Sequence, residues 1–147
     1  MESRTVDLDK IVNYFTRDYT PFLTSGVSVP EAMYEDFVKV SEPLVGAHPE
    51  FTFKVEKRQG APRPKPTTAS GSDHAYFAME GVPTIGFSLT DPKGYNFSYD
   101  EIWHTERDTY NKSIPEYQEH SATVTAIILY GLANLDHLLS REGLYAE

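Results

Sequence analysis

Hydrophobic and polar positions change period several times along this chain, and each change marks an element. Residues 11–18, Ile-Val-Asn-Tyr-Phe-Thr-Arg-Asp, are rich in β-branched and aromatic side chains. They read as a strand ending near Asp18. Tyr19 to Val27 is rich in Thr, Pro, Ser and Gly and reads as a loop. Ser28-Val29-Pro30-Glu31 has the form of a helix start, with a hydroxyl to cap free N–H groups and a Glu three residues on. Met33, Phe37, Val40 and Leu44 follow at helical spacing, and Pro43 and Gly46 mark the end. Residues 51–56, Phe-Thr-Phe-Lys-Val-Glu, alternate with period two, as a half-buried strand does.

Residues 60–71 form a Pro-rich loop within the domain. Ser72 or Asp73 can cap a short helix from His74 to Glu80, ended by Gly81. Val82 to Leu89 reads as a buried strand. Its alternate side chains Thr84, Gly86 and Ser88 are small, as close packing on one face requires. A turn at Asp91-Pro92-Lys93-Gly94 leads through an aromatic loop to Glu101-Ile102-Trp103-His104-Thr105-Glu106-Arg107-Asp108-Thr109. Ser113-Ile114-Pro115-Glu116 repeats the helix-start pattern. A long helix follows with one apolar stripe running from Val124 to Leu139, stopped by Gly143. Strands alternating with helices predict an α/β fold, a layered sheet with flanking helices. With 147 residues, one domain over 1–147 is expected.

Charge narrows the partners. There are 13 basic and 22 acidic residues, a net charge of −9. Nucleic acid and anionic membranes need clustered Lys and Arg, so neither is expected as a partner. No apolar run approaches the roughly 18 residues of a membrane span. The chain has no Cys. Any transition-metal site must therefore use His and carboxylates. Nothing in the sequence indicates a compartment.

Three candidate groups fall at strand ends or in the loops that follow: Asp18, Asp73, and His104 with Asp108. Sites in open α/β sheets form outside the carboxyl ends of strands. His104 reads either as a packed loop residue beside Trp103 or as a metal ligand. Asp18 reads either as a turn residue or as a second ligand. His48, His120 and His137 read as ordinary surface or boundary residues. Arg63 and Lys65, in the Pro-rich loop, are either solvated or in contact with a substrate carboxylate.

Two segments carry a resemblance. Gly71-Ser72-Asp73-His74-x-x-Phe77-x-x-x-Gly81-Val82-Pro83, followed by Trp103-His104-Thr105-x-x-Asp108-Thr109 and a long C-terminal helix, resembles the co-catalytic zinc exopeptidases of metallopeptidase family 28. These include leucyl aminopeptidases, plasma glutamate carboxypeptidase and, more distantly, glutaminyl cyclase. The resemblance implies a partial zinc-exopeptidase fold and peptide substrates. It makes His104 a zinc ligand and Asp18, with Gly26 eight residues on, a ligand of the same zinc. It places Asp73, Asp108, Thr105 and Tyr99 as support for the metal or in the substrate cleft. The implied chemistry is hydrolysis by a water held between two zinc ions, its proton taken by a Glu.

The sequence departs from that pattern in three places. The family's His-x-Asp segment and its Glu-Glu pair, the source of the bridging ligand and the general base, are both missing. Trp103 stands where several relatives have Tyr. The resemblance therefore implies the C-terminal part of a longer peptidase, inactive by itself and weak in zinc. An open sheet edge left by such a division is expected to drive self-association; a monodisperse monomer that melts cooperatively is the contrary outcome. Two other functions stand beside it: a non-catalytic α/β module that binds peptide or a partner, and an acyltransferase of the glutaminyl cyclase kind.

Overall fold

A computed structural model describes residues 4–17 and 21–146. Three strands form one sheet in the order β2-β1-β3. The central strand is β1, Leu23–Val29. It runs parallel to β2, Lys54–Lys57, with Val27 opposite Val55. It runs antiparallel to β3, Phe87–Thr90, with Val27 opposite Phe87 and a bulge between Thr24 and Gly26. Two main helices accompany the sheet, α1 (Tyr34–Ser41) and α4 (Pro115–Ala133). The short helices α2 (His74–Met79) and α3 (Tyr99–Ile102) lie between β2 and α4 in sequence. The expected α/β architecture is therefore present, as a small mixed sheet with flanking helices.

The core lies where α1 and α4 meet the sheet. Val27 and Val29 of β1 pack with Met33, Phe37, Val124 and Ile128. The β1 backbone is tied to α4 directly, because the Thr24 N–H donates to the Ser121 hydroxyl at 3.0 Å. Where the helices cross, a Cβ on Gly131 would lie 2.5 Å from the Val40 Cβ. Only glycine lets the two approach so closely.

Several expected elements are displaced, for physical reasons. Residues 11–17 form no strand. They run beside residues 83–85, where Tyr14 N–H donates to the Pro83 carbonyl at 2.8 Å. Pro83 has no N–H to return, so a ladder cannot continue. The Asn13 side chain substitutes for it, accepting from Ile85 N–H at 2.9 Å and donating to the Ile85 carbonyl at 3.2 Å. The end of that stretch, with Asp18, lies outside the described residues, as do Tyr19 and Thr20.

The segment expected as a loop up to Val27 contains the central strand. Its Ser and Gly content misleads because a strand paired on both edges here needs a residue without a side chain. A Cβ on Gly26 would lie 2.5 Å from the Lys54 carbonyl oxygen. Ser28 belongs to β1 and caps nothing. The helical path begins with a 3-10 turn at Glu31–Met33, and Pro30 at its head has the extended ψ of 152°. Ser113 and Asp73 likewise make no side-chain cap, and Pro115 itself opens α4.

The expected strand from Val82 is ordered as one only from Phe87. Its small residues leave space rather than close packing, since nothing lies within 4 Å of a Cβ built on Gly86. Helix α4 stops at Ala133, ten residues before Gly143, where Asn134 N–H bonds back to Gly131. Leu135 and Leu139 reach the core from the irregular segment beyond. Both outer strands of the sheet are four residues long, and β2 exposes Lys54, Glu56 and Lys57. A short, charged edge like that of β2 resists pairing with another chain, whereas β3, Phe-Ser-Leu-Thr, carries no charge.

The histidines also separate. His120 is 8% exposed, a core residue rather than a boundary one. Its Nε2 is buried with no hydrogen-bond partner. Burial first, and the charge of His48 second, hold its pKa below the usual imidazole value, against a smaller upward pull from a hydrogen bond with the Thr24 backbone. His137 lies past the end of α4, between Asp136 at 2.7 Å and Asp36 at 3.1 Å. Those two carboxylates, Asp136 foremost, raise its pKa. The two groups act on stability with opposite signs. The His120 contribution is complete above the unfolded imidazole pKa of about 6.5 and is lost as pH falls through the lower folded value. The His137 contribution is complete below about 6.5 and is lost as pH rises through its higher folded value. Because His137 is exposed, its effect is the smaller one. His120→Phe is therefore expected to flatten the acid side of a plot of Tm against pH between about 7 and 5. An unchanged slope would show that His120 does not control it.

Candidate functional site

The His104 loop is built from its own backbone upward. Ile102, 4% exposed, anchors the end of α3 in the interior. Trp103 N–H bonds to the Tyr99 carbonyl at 2.8 Å and closes the helix. His104 then takes a positive φ of 55°. That left-handed geometry is uncommon for a residue with a Cβ, though His tolerates it better than most. It turns the chain back at once. Thr105 N–H bonds to the Ile102 carbonyl at 3.1 Å. The Thr105 hydroxyl sits 3.0 Å from the Glu101 carbonyl and 2.9 Å from that of Ile102, and accepts from Arg107 N–H at 3.2 Å. Its oxygen is thus engaged in folding the loop. Asp108 N–H returns to the Thr105 carbonyl at 3.2 Å.

The result is an imidazole held up on a tight turn. His104 is exposed and stacks on Trp103 at 4.3 Å. Trp103 stacks in turn on Tyr99 at 5.7 Å. Stacking fixes the ring planes while the His104 nitrogens make no hydrogen bond to any described residue. An imidazole so placed can offer a nitrogen lone pair to a metal. Asp108 lines a cavity of about 220 Å³ together with Pro21, Ile102, Thr109 and Ser113. Pro21, three residues after Asp18, therefore enters the structure beside the His104 loop. Asp73 lies elsewhere, exposed at the head of α2.

A second network positions the loop from behind. The Asp91 carboxylate accepts from Asn96 N–H and from the Tyr117 hydroxyl, both at 2.8 Å. The Tyr117 oxygen also accepts from Lys93 N–H at 2.8 Å. Partial burial pushes the Asp91 pKa up, but the donors outweigh it and hold it below the usual carboxylate value. Lys93 Nζ reaches Glu116 at 2.6 Å and Glu50 at 3.2 Å. Those contacts, Glu116 first, raise the Lys93 pKa and lower that of Glu116. The turn at 91–94 is in this way pinned to the first turn of α4.

Against zinc, the donor set is incomplete. Among the described residues, no three His, Asp or Glu side chains gather closely enough to hold a metal ion. His104 is one open ligand, and one ligand is not a site; catalytic zinc takes three protein ligands. The described residues alone do not fit the ion.

These features describe an α/β protein that displays an imidazole on a His-Thr-x-x-Asp-Thr loop behind its third strand. The sequence model of Peptidase family M28 matches residues 50–128, which include both the Gly71–Pro83 segment and the His104 loop. That is more than half of the 147 residues, and the chain belongs to Peptidase family M28. Its function is of the peptidase kind. No curated protein and no solved structure matched the chain.

Of one further cluster the sequence pointed only to Arg63. Arg17 lines a cavity with His74 and Thr84, while Arg58 and Arg63 line another that shares Thr84. These residues come from four separate stretches of chain, and only the fold brings them together.

Proposed function

We propose that this chain is the C-terminal part of a zinc-dependent exopeptidase and that His104 is its contribution to the metal. The observation that carries the proposal is the family match over 50–128, within which His104 occupies an exposed turn and neither ring nitrogen bonds to a described residue. Asp18 is the proposed second ligand from this chain. The bridging carboxylate and the general base come from segments of the His-x-Asp and Glu-Glu kind, which these 147 residues do not contain. Substrates are peptides, cleaved one residue at a time from an end.

Zinc titration by calorimetry tests this. The chain is expected to bind zinc at about micromolar affinity or weaker, because fewer than three ligands are present. His104→Ala is expected to remove that binding by at least tenfold. It should lower Tm by no more than about 4 °C, since the side chain is exposed but follows the α3 C-cap at a positive φ that suits His better than Ala. Zinc binding that ignores His104, or none at all, sinks the proposal. Hydrolysis of aminoacyl p-nitroanilides by the purified chain alone would equally contradict the division of the site.

A further inference from the structure

The two cavities that share Thr84 in their lining are cationic in an acidic protein. The first, about 220 Å³, lies between the 11–17 segment, the head of α2 and the approach to β3; Arg17 and His74 supply its polar side, and Tyr14, Phe87 and Leu89 its apolar walls. The second, about 420 Å³, lies between the Pro-rich loop and the C-terminal turn, and holds Arg58, Arg63, Gln59 and Tyr145. Arg17, Arg58 and Arg63 are half of the chain's arginines, yet the net charge is −9. No described Asp or Glu lines either cavity.

Among the described residues, the bonds that Arg17 and Arg58 make go to neutral oxygens. Arg17 donates to the Thr24 hydroxyl and to the Phe22 carbonyl at 3.1 Å. Arg58 donates to the Leu144 carbonyl at 3.3 Å. A half-buried guanidinium without a counter-charge loses hydration that only an anion restores fully. His74 adds a second unmet group, an Nδ1 that is buried with no partner.

We propose that this double cavity binds an acidic peptide, seating one carboxylate against Arg17 beside His74 and a second against Arg58 and Arg63. Guanidinium forks match the planar, two-oxygen geometry of a carboxylate. The apolar walls of the first cavity fit the methylene stem of a glutamyl side chain, which inorganic phosphate lacks. That the anion belongs to a peptide rests on the peptidase reading above. That it is an anion rests on the cavities alone.

The test is calorimetric binding of the dipeptide Glu-Glu in the presence of EDTA, with Gln-Gln and inorganic phosphate as comparisons. Glu-Glu is expected to bind at least tenfold more tightly than either, and more weakly as salt rises. Arg17→Lys and Arg63→Gln are each expected to weaken it tenfold or more. Arg17 also holds the start of β1, so Arg17→Lys can disturb the fold. Arg63→Gln cannot be faulted in that way, because its exposed side chain makes no bond to a described residue. Glu-Glu binding no tighter than that of Gln-Gln or phosphate, or unchanged in Arg63→Gln, overturns the proposal. Because EDTA removes metal, a chain that binds Glu-Glu but no zinc upholds this site while refuting the zinc reading, and the converse result does the opposite.

Discussion

Gly26→Ala is expected to destabilise the chain by at least about 2 kcal/mol, the scale of an overpacked interior. The new methyl carbon would lie 2.5 Å from the Lys54 carbonyl oxygen and 3.4 Å from the Lys54 nitrogen and carbonyl carbon. These are backbone atoms, so no rotamer change relieves the clash. Gly26 and Lys54 are opposite one another in the parallel β1–β2 pair. Either the pair opens or the strand shifts, and a shift of one residue would turn every inward side chain of β2 outward. The loss should appear as a fall in Tm of about 4–8 °C, at roughly 2–4 °C per kcal/mol for a chain of this size. Gly86→Ala is the control. Nothing lies within 4 Å of its Cβ position, so the same substitution there should be neutral or slightly stabilising. Equal Tm values for the two variants would mean that β1 and β2 do not pair in this register.

That contrast also shows where sequence reasoning works and where it stops. Gly26 and Gly86, 60 residues apart in sequence, look alike in composition, and only the partner strand distinguishes them. Periodicity is a local property. It found α1, β2, α2 and the inward stripe of α4 through Val124, Ile128 and Leu132, because each depends on spacing within one element. It misplaced β1, whose Ser and Gly content is set by neighbours on both sides rather than by propensity. It extended α4 through Leu135 and Leu139, which do pack on the core, but from a segment that is no longer helical. It also made a strand of residues 11–17, where Pro83 on the opposing segment denies the ladder its donor. The site divides along the same line. The His104 loop is contiguous in sequence, so its residue types and order were legible. Its presentation was not, since the positive φ and the Thr105 hydroxyl's engagement with the loop backbone are products of the fold. Arg17, Arg58, Arg63 and His74 meet only through tertiary structure, and no spacing could have announced them.

Tyr117 is where the loop chemistry depends most on the core, and Tyr117→Ala is expected to cost about 3–5 kcal/mol. The ring is fully buried, edge-on to Phe51 and to Tyr95 at 5.5 Å each. Its hydroxyl donates to Asp91 and accepts from Lys93 N–H, so it joins α4 to the turn that feeds α3 and His104. Tyr117→Phe separates the two contributions. It keeps the packing and removes only the oxygen, leaving the Lys93 amide without this acceptor and the Asp91 carboxylate with one donor fewer, at a cost of about 1–3 kcal/mol. The hydroxyl also sets an acid response. Asp91 is held below its unfolded pKa, so its contribution to stability is present above about pH 4 and lost as pH falls through the lower folded value. Tyr117→Phe removes one of the donors that lower it, and the variant should lose less of its remaining stability on acidification than the wild type does. Hydrogen exchange at the Lys93 amide gives a local readout of the same bond. It should quicken in Tyr117→Phe even under conditions where the core amides of β1 remain protected. If the Lys93 amide exchanges no faster and the acid slope is unchanged, the Tyr117 hydroxyl does not hold the turn, and the Asn96–Asp91 bond and the contacts of Lys93 with Glu116 and Glu50 stabilise the approach to His104.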